Sequence, residues 1–187
     1  MHKMSYFSKK IISWQKINGR NNLPWQAKSP YHVWISEIML QQTQVKTVIP
    51  YFHKFIKSFP SIKSLAKSDL DKVLANWSGL GYYTRAKNIH RASKIIHQKF
   101  NGIIPNDYEQ LIELPGIGES TAGALLSLAF DEPGIILDGN VKRVLLRFLG
   151  DKSPINHSRT QKELKKFAVD LLSLIHISEP TRLRRIS

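Results

Sequence analysis

The chain of 187 residues contains no cysteine. This absence excludes disulfide bonds, a thiol nucleophile, a cysteine-ligated zinc site and a cysteine-held iron–sulfur cluster in this chain. Long apolar runs are also missing, since no segment approaches the roughly 20 residues that span a bilayer. The N-terminus, MHKMSYFSKK, lacks the apolar region and the cleavage site of a signal peptide. We therefore expect a cytoplasmic protein with no membrane partner.

Acidic residues are scarce beside basic ones, with 14 Asp and Glu against 28 Lys and Arg and a net charge of +14. A surplus of this size favours a polyanionic partner, because each basic side chain placed on a phosphate releases a condensed counterion. Nucleic acid is favoured over a membrane surface. A content of 42% hydrophobic and 10% aromatic residues indicates a folded domain.

Strand-like alternation of polar and apolar residues is missing too, and the apolar residues instead recur at spacings of three and four. This pattern predicts an all-α chain. At one helix start, Asn106 stands where an N-cap is expected, with Glu109 as its capping partner. The helical stretches are Phe7 to Ile17, Val33 to Val48, Tyr51 to Ile56, Leu70 to Trp77, Ala86 to Phe100, Tyr108 to Leu114, Thr121 to Phe130, Val141 to Leu149 and Thr160 to Leu171.

The segment Leu114-Pro115-Gly116-Ile117-Gly118 separates two of these stretches. Its two glycines permit a tight hairpin whose amides point outward at the start of the next helix, and such a turn can hold a phosphate. An ordinary helix–helix turn is the alternative. The small residues that follow, from Ser120 to Ala124, allow close approach and favour the phosphate site.

Two carboxylates also stand out. Glu37 falls on the apolar side of its helical stretch, where partial desolvation favours the protonated form that a proton donor needs; an ion pair with Arg or Lys is the alternative. Asp138 directly precedes the stretch Val141 to Leu149. A helix cap is its alternative role.

These segments resemble a known family. LPGIGESTAGA resembles the helix-hairpin-helix of the endonuclease III superfamily of DNA glycosylases, and within it the chain is most similar to the MutY-type adenine DNA glycosylases. Four blocks match that family in order and spacing: LPWQ at 23–26, SEIMLQQTQVKTVIPYF at 36–52, GLGYYTRAKN at 79–88 and LDGNVKRVL at 137–145.

The resemblance implies a two-lobed helix-hairpin-helix glycosylase core. Residues 1–22 form an N-terminal helix that packs with the second lobe, and residues 23–140 form a helical barrel lobe with the hairpin at about 108–130. Residues 141–171 begin the second lobe. Residues 172–187 resemble a translated sequencing adaptor, so we expect a non-native tail on a truncated chain that folds poorly or binds DNA weakly.

The implied activity is hydrolytic removal of adenine mispaired with 8-oxoguanine or guanine, which leaves an abasic site. By resemblance Glu37 is the general acid that protonates N7 of the flipped adenine, and Asp138 stabilises the oxocarbenium-like transition state, with Asn140 orienting its carboxylate. Strand-cleaving members carry a Schiff-base lysine where this chain has Ser120. A hydroxyl forms no imine, so we expect a monofunctional enzyme.

Further residues are assigned by the same resemblance. Trp25, Gln26 and Leu40 line the adenine pocket, with Ser120 also at the substrate. Gln41 and Gln42 enter the duplex, although a solvated helix face also explains the polar run at 41–44. Tyr82 is the wedge beside 8-oxoguanine, while Tyr83 is a candidate core residue. The predicted DNA contacts are Arg85, Lys87, Gly116, Gly118, Lys142 and Arg143, and a monovalent cation is expected on the carbonyls of Ile112, Leu114 and Ile117.

The chain also departs from the family. Family members hold a 4Fe-4S cluster through four cysteines and carry a C-terminal Nudix-like domain, and we expect both only in the full-length protein. The expected partner is mispaired double-stranded DNA, bound by a monomer associated with the bacterial nucleoid. Two rival functions remain: an endonuclease III-like glycosylase and lyase for oxidised pyrimidines, and a non-catalytic helix-hairpin-helix module. Ser120 and the glutamine run argue against the first, and the two carboxylates argue against the second.

Overall fold

The structure is a computed structural model that describes residues 2–20, 22–26 and 29–178, with side chains from residue 6 to residue 172 of these ranges. All regular structure in these ranges is helical, which confirms the all-α prediction. No helix among them is long and apolar enough to cross a membrane. The helices are α1 His2–Asn18, α2 Pro30–Leu40, α3 Val45–Ser58, α4 Ile62–Ala66, α5 Leu70–Trp77, α6 Thr84–Lys99, α7 Tyr108–Ile112, α8 Glu119–Ala129, α9 Gly139–Leu149 and α10 Ser158–Ser178.

One compact unit spans Asn22–Glu132, and α2 lies at its centre. Helix α2 packs against α3, α6 and α8. A helix enclosed in this way needs apolar residues around most of its circumference. Trp34, Ile35 and Met39 are accordingly inaccessible to solvent, and the Tyr31 hydroxyl donates to the Phe59 carbonyl at 2.7 Å. The core of this unit therefore fixes α2, the helix that carries Glu37.

The other unit joins the N-terminal segment to the chain from Pro133 onward, so it begins before the expected boundary at residue 141. Helix α1 packs on α10, and α9 also contacts α10. Leu145 and Leu164 are buried in this second core, and the Phe7 and Phe148 rings stack with centroids 3.9 Å apart. The N-terminal helix thus packs with the later helices in this unit, while its identity as the second lobe of a glycosylase stays a prediction.

Two local predictions were wrong. The N-cap of α7 is Asp107 rather than Asn106, because the Asp107 carboxylate accepts the Gln110 N–H at 2.9 Å and the helix begins at Tyr108. The expected single helix from Val33 to Val48 is also two helices, since α2 ends at Leu40 and the polar run at 41–44 forms a turn before α3.

The first residues of the predicted non-native tail, 172–178, belong to α10. Helix α10 extends to Ser178, past the expected end of the native sequence at Leu171. Residues 179–187 of the predicted non-native tail lie outside the described residues.

Candidate active site and nucleic-acid interface

Glu37 is a half-buried residue near the C-terminal end of α2, between the fully buried Ser36 and the almost fully buried Ile38. Its neighbours are buried because α2 is enclosed by three other helices. A carboxyl group in such a position is partly removed from water, as the sequence pattern indicated. Its role as a proton donor stays a prediction.

Asp138 caps helix α9. Its Oδ1 accepts the Val141 N–H at 2.8 Å, so the capping role considered from the sequence is confirmed. In the described part of the chain Oδ2 takes part in no hydrogen bond, and the residue is exposed. One oxygen thus fixes the carboxylate, while the other is open to a ligand. Glu37 belongs to the unit 22–132 and Asp138 to the other, so a pocket bounded by both carboxylates stays a prediction.

Asn140 is not bonded to Asp138 as expected. The Asn140 Oδ1 accepts from Arg143 Nη2, and no bond joins Asn140 to the Asp138 carboxylate among the described residues. The difference has a geometric reason: Asn140 lies in the first turn of α9, where a residue three positions later is its neighbour on the helix surface. Orientation of the Asp138 carboxylate comes from Val141 instead.

The hairpin between α7 and α8 has the geometry that two glycines permit. Gly116 has a φ of 82°, and a Cβ there would lie 2.9 Å from the Asn88 Cβ, so both the backbone and the space require glycine. Gly118 is the N-cap of α8, with a φ of −94°, and a Cβ there would meet nothing within 4 Å. The space in front of the first amides of α8 is therefore open, as a phosphate site needs. Ser120 is half-buried in the first turn.

The carbonyls expected to hold a cation lie around the same hairpin. Ile112 ends α7, and Leu114 and Ile117 are buried. The Leu114 carbonyl accepts the Ile117 N–H at 3.1 Å, which leaves its second lone pair for another partner. Binding of a monovalent cation stays a prediction.

Arg85 is buried rather than placed on the surface for a phosphate contact, with 8% exposure. Its Nη1 donates to the Met39 carbonyl at 2.7 Å and to the Ile38 and Gln41 carbonyls, so it caps the C-terminus of α2. Burial lowers the pKa of the Arg85 guanidinium, and the Tyr82 phenol opposes this shift. The prediction of a phosphate contact does not fit this geometry.

The burial of Arg85 was recognisable from helical spacing. Residues 85, 89, 92 and 96 lie on one face of α6, and all of them are buried. Residues at this spacing share one helix face, so the position of Arg85 in line with Ile89, Ala92 and Ile96 indicates burial.

The polar turn after α2 is connected to the hairpin. Gln41 Nε2 donates to the Gly116 carbonyl at 3.4 Å and to Thr121 Oγ1 at 3.3 Å, so this half-buried side chain is directed toward the hairpin. Gln42 is exposed and has a φ of 57°. Of the two glutamines expected to enter the duplex, Gln42 is the one whose side chain is open to a partner.

Aromatic residues divide between the core and the surface. Trp25 is 6% exposed and packs edge-on against Phe52, with centroids 5.3 Å apart. Tyr82 is 60% exposed, as a wedge residue must be. Tyr83, considered as a core residue, is 44% exposed, because it precedes α6 at the surface.

The other predicted site residues show mixed exposure. Leu40 is half-buried against the core, and the exposed Gln26 accepts the Leu23 N–H through Oε1 at 2.8 Å. Lys87 and Arg143 are exposed and Lys142 is half-buried. Their phosphate contacts stay predictions.

The residues present do not fit the cluster that the resemblance implies. A 4Fe-4S cluster is held by cysteine thiolates, and the chain has no cysteine. Within the described ranges, no group of three or more His, Asp or Glu residues could hold a metal ion. A cluster in the full-length protein stays a proposal, and no step below depends on it.

Comparison with known proteins identifies relatives across most of the chain. The family model for HhH-GPD superfamily base excision DNA repair proteins matches residues 35–168. An adenine DNA glycosylase of Buchnera aphidicola subsp. Baizongia pistaciae is 55% identical over 174 residues, which are 92% of this chain and 49% of that protein. A human adenine DNA glycosylase is 38% identical over 151 residues, covering 75% of this chain and 28% of that protein. The chain thus spans about half the length of its Buchnera relative.

Solved structures show the same fold. A thermostable thymine-DNA glycosylase has a TM-score of 0.82 and 24% identity, covering 91% of this chain and 78% of that one. A trapped endonuclease III–DNA covalent intermediate has a TM-score of 0.73 and 19% identity, covering 94% and 84%. At these identities the likeness concerns the fold, which supports the helix-hairpin-helix architecture expected from the sequence.

Proposed function

Because this chain belongs to the HhH-GPD superfamily of base excision DNA repair proteins, we propose that it hydrolyses the N-glycosidic bond of adenine mispaired with 8-oxoguanine or guanine. The observation that carries the proposal is the 55% identity to an adenine DNA glycosylase over 92% of the chain. We further propose that it acts as a monomer on double-stranded DNA, in the bacterial cytoplasm at the nucleoid. Its charge of +14 supports a polyanionic partner.

In this proposal Glu37 supplies the proton. It transfers the proton to N7 of the extruded adenine while the bond between N9 and C1′ breaks, and the base leaves with the bonding electron pair. The position of Glu37 supports this role, since its side chain is half-buried between the buried residues Ser36 and Ile38 and so lies at the edge of the core rather than in open solvent. Acid catalysis of this kind contributes about 10²–10⁴ to the rate.

Asp138 stabilises the sugar cation left behind. Oδ1 stays on the Val141 N–H, and Oδ2 faces the positive charge that develops at C1′. Water then adds to C1′ and loses a proton, which gives an abasic site and free adenine. The fixed cap supports the proposal because a carboxylate held in place needs no reorganisation during the reaction.

The hairpin holds the strand. The open space at Gly118 and the first amides of α8 accept a phosphate next to the target nucleotide. Ser120 occupies the position from which a lysine would attack C1′, so the abasic strand is left intact. Hydrolysis without strand cleavage is the expected outcome.

Two duplexes test the proposal, one with adenine opposite 8-oxoguanine and one with thymine glycol. We expect the first to break only after treatment with the protein and then alkali, and the second to stay whole. Breakage at thymine glycol without alkali would identify a glycosylase and lyase for oxidised pyrimidines. Two intact duplexes together with measurable binding would identify a non-catalytic DNA-binding module.

The lack of lyase activity has its own test. Borohydride reduces a Schiff base to a permanent protein–DNA adduct, so the unmodified chain should give no adduct and Ser120→Lys should give one. Ser158→Lys, at an exposed position of α10, is the control for a lysine introduced elsewhere and should give no adduct. An adduct formed by the unmodified chain would refute the monofunctional assignment.

A further inference from the structure

Two exposed residues of the unit 22–132 have a left-handed backbone that their side chains disfavour. Gln42 has a φ of 57° and Tyr82 a φ of 50°. The other non-glycine residues with positive φ in the described part of the chain are Asn101 and Asp131, whose types adopt this conformation more readily. Such strain persists only where the surrounding structure holds the backbone in place.

The Arg85 guanidinium holds the backbone on both sides of Gln42. Nη1 donates to the carbonyl of Gln41, and Nη2 donates to Thr43 Oγ1 at 3.1 Å. Since these partners directly precede and follow Gln42, they restrict its backbone from both directions. One planar group therefore contacts the turn on both sides of Gln42, beside the bonds that join Gln41 to the hairpin and the Thr43 N–H to the Leu40 carbonyl.

The same guanidinium contacts the segment that presents Tyr82. Nη2 also donates to the Gly81 carbonyl at 3.3 Å, and Cζ lies 5.2 Å from the centre of the Tyr82 ring. Cζ also lies 5.5 Å from the centre of the Trp77 ring. Arg85 thus joins two segments that are far apart in the chain, and each of them carries one exposed, strained residue.

We propose that Arg85 is a positioning residue that holds Gln42 and Tyr82 as one preformed pair for insertion into the duplex beside the extruded adenine. This inference rests on the proposed function, which supplies the duplex. Extrusion of a base requires unstacking, and a pair ordered during folding does not have to be ordered again when the DNA binds. Arg85 itself touches no DNA in this arrangement.

A lysine cannot replace this group. The guanidinium offers five N–H donors in a fixed plane, so it bonds both segments at once while the planar group lies near the Tyr82 ring. An ammonium group is a point charge with three donors. Arg85→Lys keeps the net charge, so the charge-dependent affinity for fully paired DNA should change less than twofold. The variant separates positioning from electrostatic attraction.

The test compares Arg85→Lys with Arg91→Lys, a matched control at an exposed position of the same helix. A duplex with 2-aminopurine next to the target adenine reports unstacking by its fluorescence, and adenine release is measured under single-turnover conditions. We expect Arg85→Lys to lose most of the fluorescence rise and about 10²-fold in the excision rate, as small misplacements do. Equal behaviour of the two variants would overturn the proposal.

Hydrogen exchange of the free protein gives a readout that does not depend on activity. The amides of Gln41 and Thr43 in the turn, and of Leu80 and residue 85 on either side of Tyr82, donate to backbone carbonyls. They should exchange at least about tenfold faster in Arg85→Lys, while those of α8 stay protected. Unchanged exchange in either segment would refute the positioning role. If the unmodified chain releases no adenine, the proposed function fails, and the exchange result still decides the role of Arg85.

A second pair of variants applies if Arg85→Lys does not fold. Thr43→Val removes one acceptor of Nη2, the one on the turn, but keeps the shape of the side chain. Thr47→Val is the control at an exposed position of α3. We expect a several-fold loss of the fluorescence rise and of the excision rate for Thr43→Val alone. Identical values for the two variants would overturn the proposal.

Discussion

Alanine at Gly116 should lower the stability of the fold, whereas alanine at Gly118 should leave the stability almost unchanged and weaken DNA binding. Gly116 has a φ of 82°, where a non-glycine residue costs about 1–2 kcal/mol. A Cβ would also approach the Asn88 Cβ to 2.9 Å, so the half-buried Asn88 must move. We expect Gly116→Ala to lower the free energy of unfolding by about 2–3 kcal/mol in total.

Gly118→Ala should leave the stability almost unchanged. Its φ of −94° suits alanine, and a Cβ there meets nothing within 4 Å. The loss of a good N-cap residue costs a few tenths to about 1 kcal/mol, and the lower entropy of the unfolded chain offsets about 0.4–1 kcal/mol. The net change should therefore stay within about 0.5 kcal/mol.

The same methyl group would occupy the space in which a phosphate approaches α8. We expect Gly118→Ala to raise the Kd for DNA by about tenfold, and equally for mispaired and fully paired duplexes, because phosphate contacts position the DNA without reading its sequence. Urea unfolding followed by circular dichroism gives the stabilities, and fluorescence anisotropy at fixed salt gives the affinities.

Gly102→Ala is the control for backbone strain alone. Its φ is 77°, and the closest atom to an added Cβ is His97 Nδ1 at 3.8 Å, an ordinary contact. Gly102→Ala should lower the free energy of unfolding by about 1–2 kcal/mol and leave DNA binding unchanged. Normal DNA binding by Gly118→Ala, or a loss of stability equal to that of Gly116→Ala, would refute the reasoning.

Two further substitutions test other parts of the account. Asp138→Asn keeps an oxygen for the Val141 N–H, so the free energy of unfolding should change by less than about 0.5 kcal/mol while adenine release is lost. Asp138→Ala should abolish adenine release and also lower the free energy of unfolding in urea by about 1 kcal/mol. Full activity of Asp138→Asn would contradict the assigned role. Burial lowers the pKa of His90, whose Nε2 lies 2.9 Å from the Ser68 carbonyl. The unfolded chain then binds the proton more readily than the folded one, so the free energy of unfolding should fall as the pH drops below about 6.5. His90→Gln should remove this part of the pH dependence. Unfolding curves measured at several pH values test both statements.

Local patterns predicted the helices well because their apolar residues recur at helical spacing and form one face. Helix α5 begins and ends where the pattern Leu70 to Trp77 does. The short helix α4 was missed, since five residues contain little more than one turn of periodicity. The N-cap of α7 was misplaced by one residue because Asn106 and Asp107 are both good capping residues, and only the backbone geometry decides between them.

The candidate site was predictable only in part. Local sequence patterns identify Glu37 as a carboxyl group on an apolar helix face and Asp138 as a residue at a cap position. They also identify the two hairpin glycines as part of a tight turn. The orientation of Arg85 depends on contacts with Ile38 to Gln41, more than 40 residues earlier, as separations of 44–47 positions show. Contacts over such a distance have no local signature, although helical spacing did indicate burial.

Release of free adenine is the most direct measurement of the central claim. A duplex with adenine opposite 8-oxoguanine is incubated with an excess of the chain, and the freed base is quantified by chromatography over time. The account predicts one adenine for each alkali-labile site, and a rate about 10²–10⁴-fold lower for Glu37→Gln with unchanged duplex affinity. Adenine release by Glu37→Gln at the rate of the unmodified chain would contradict it.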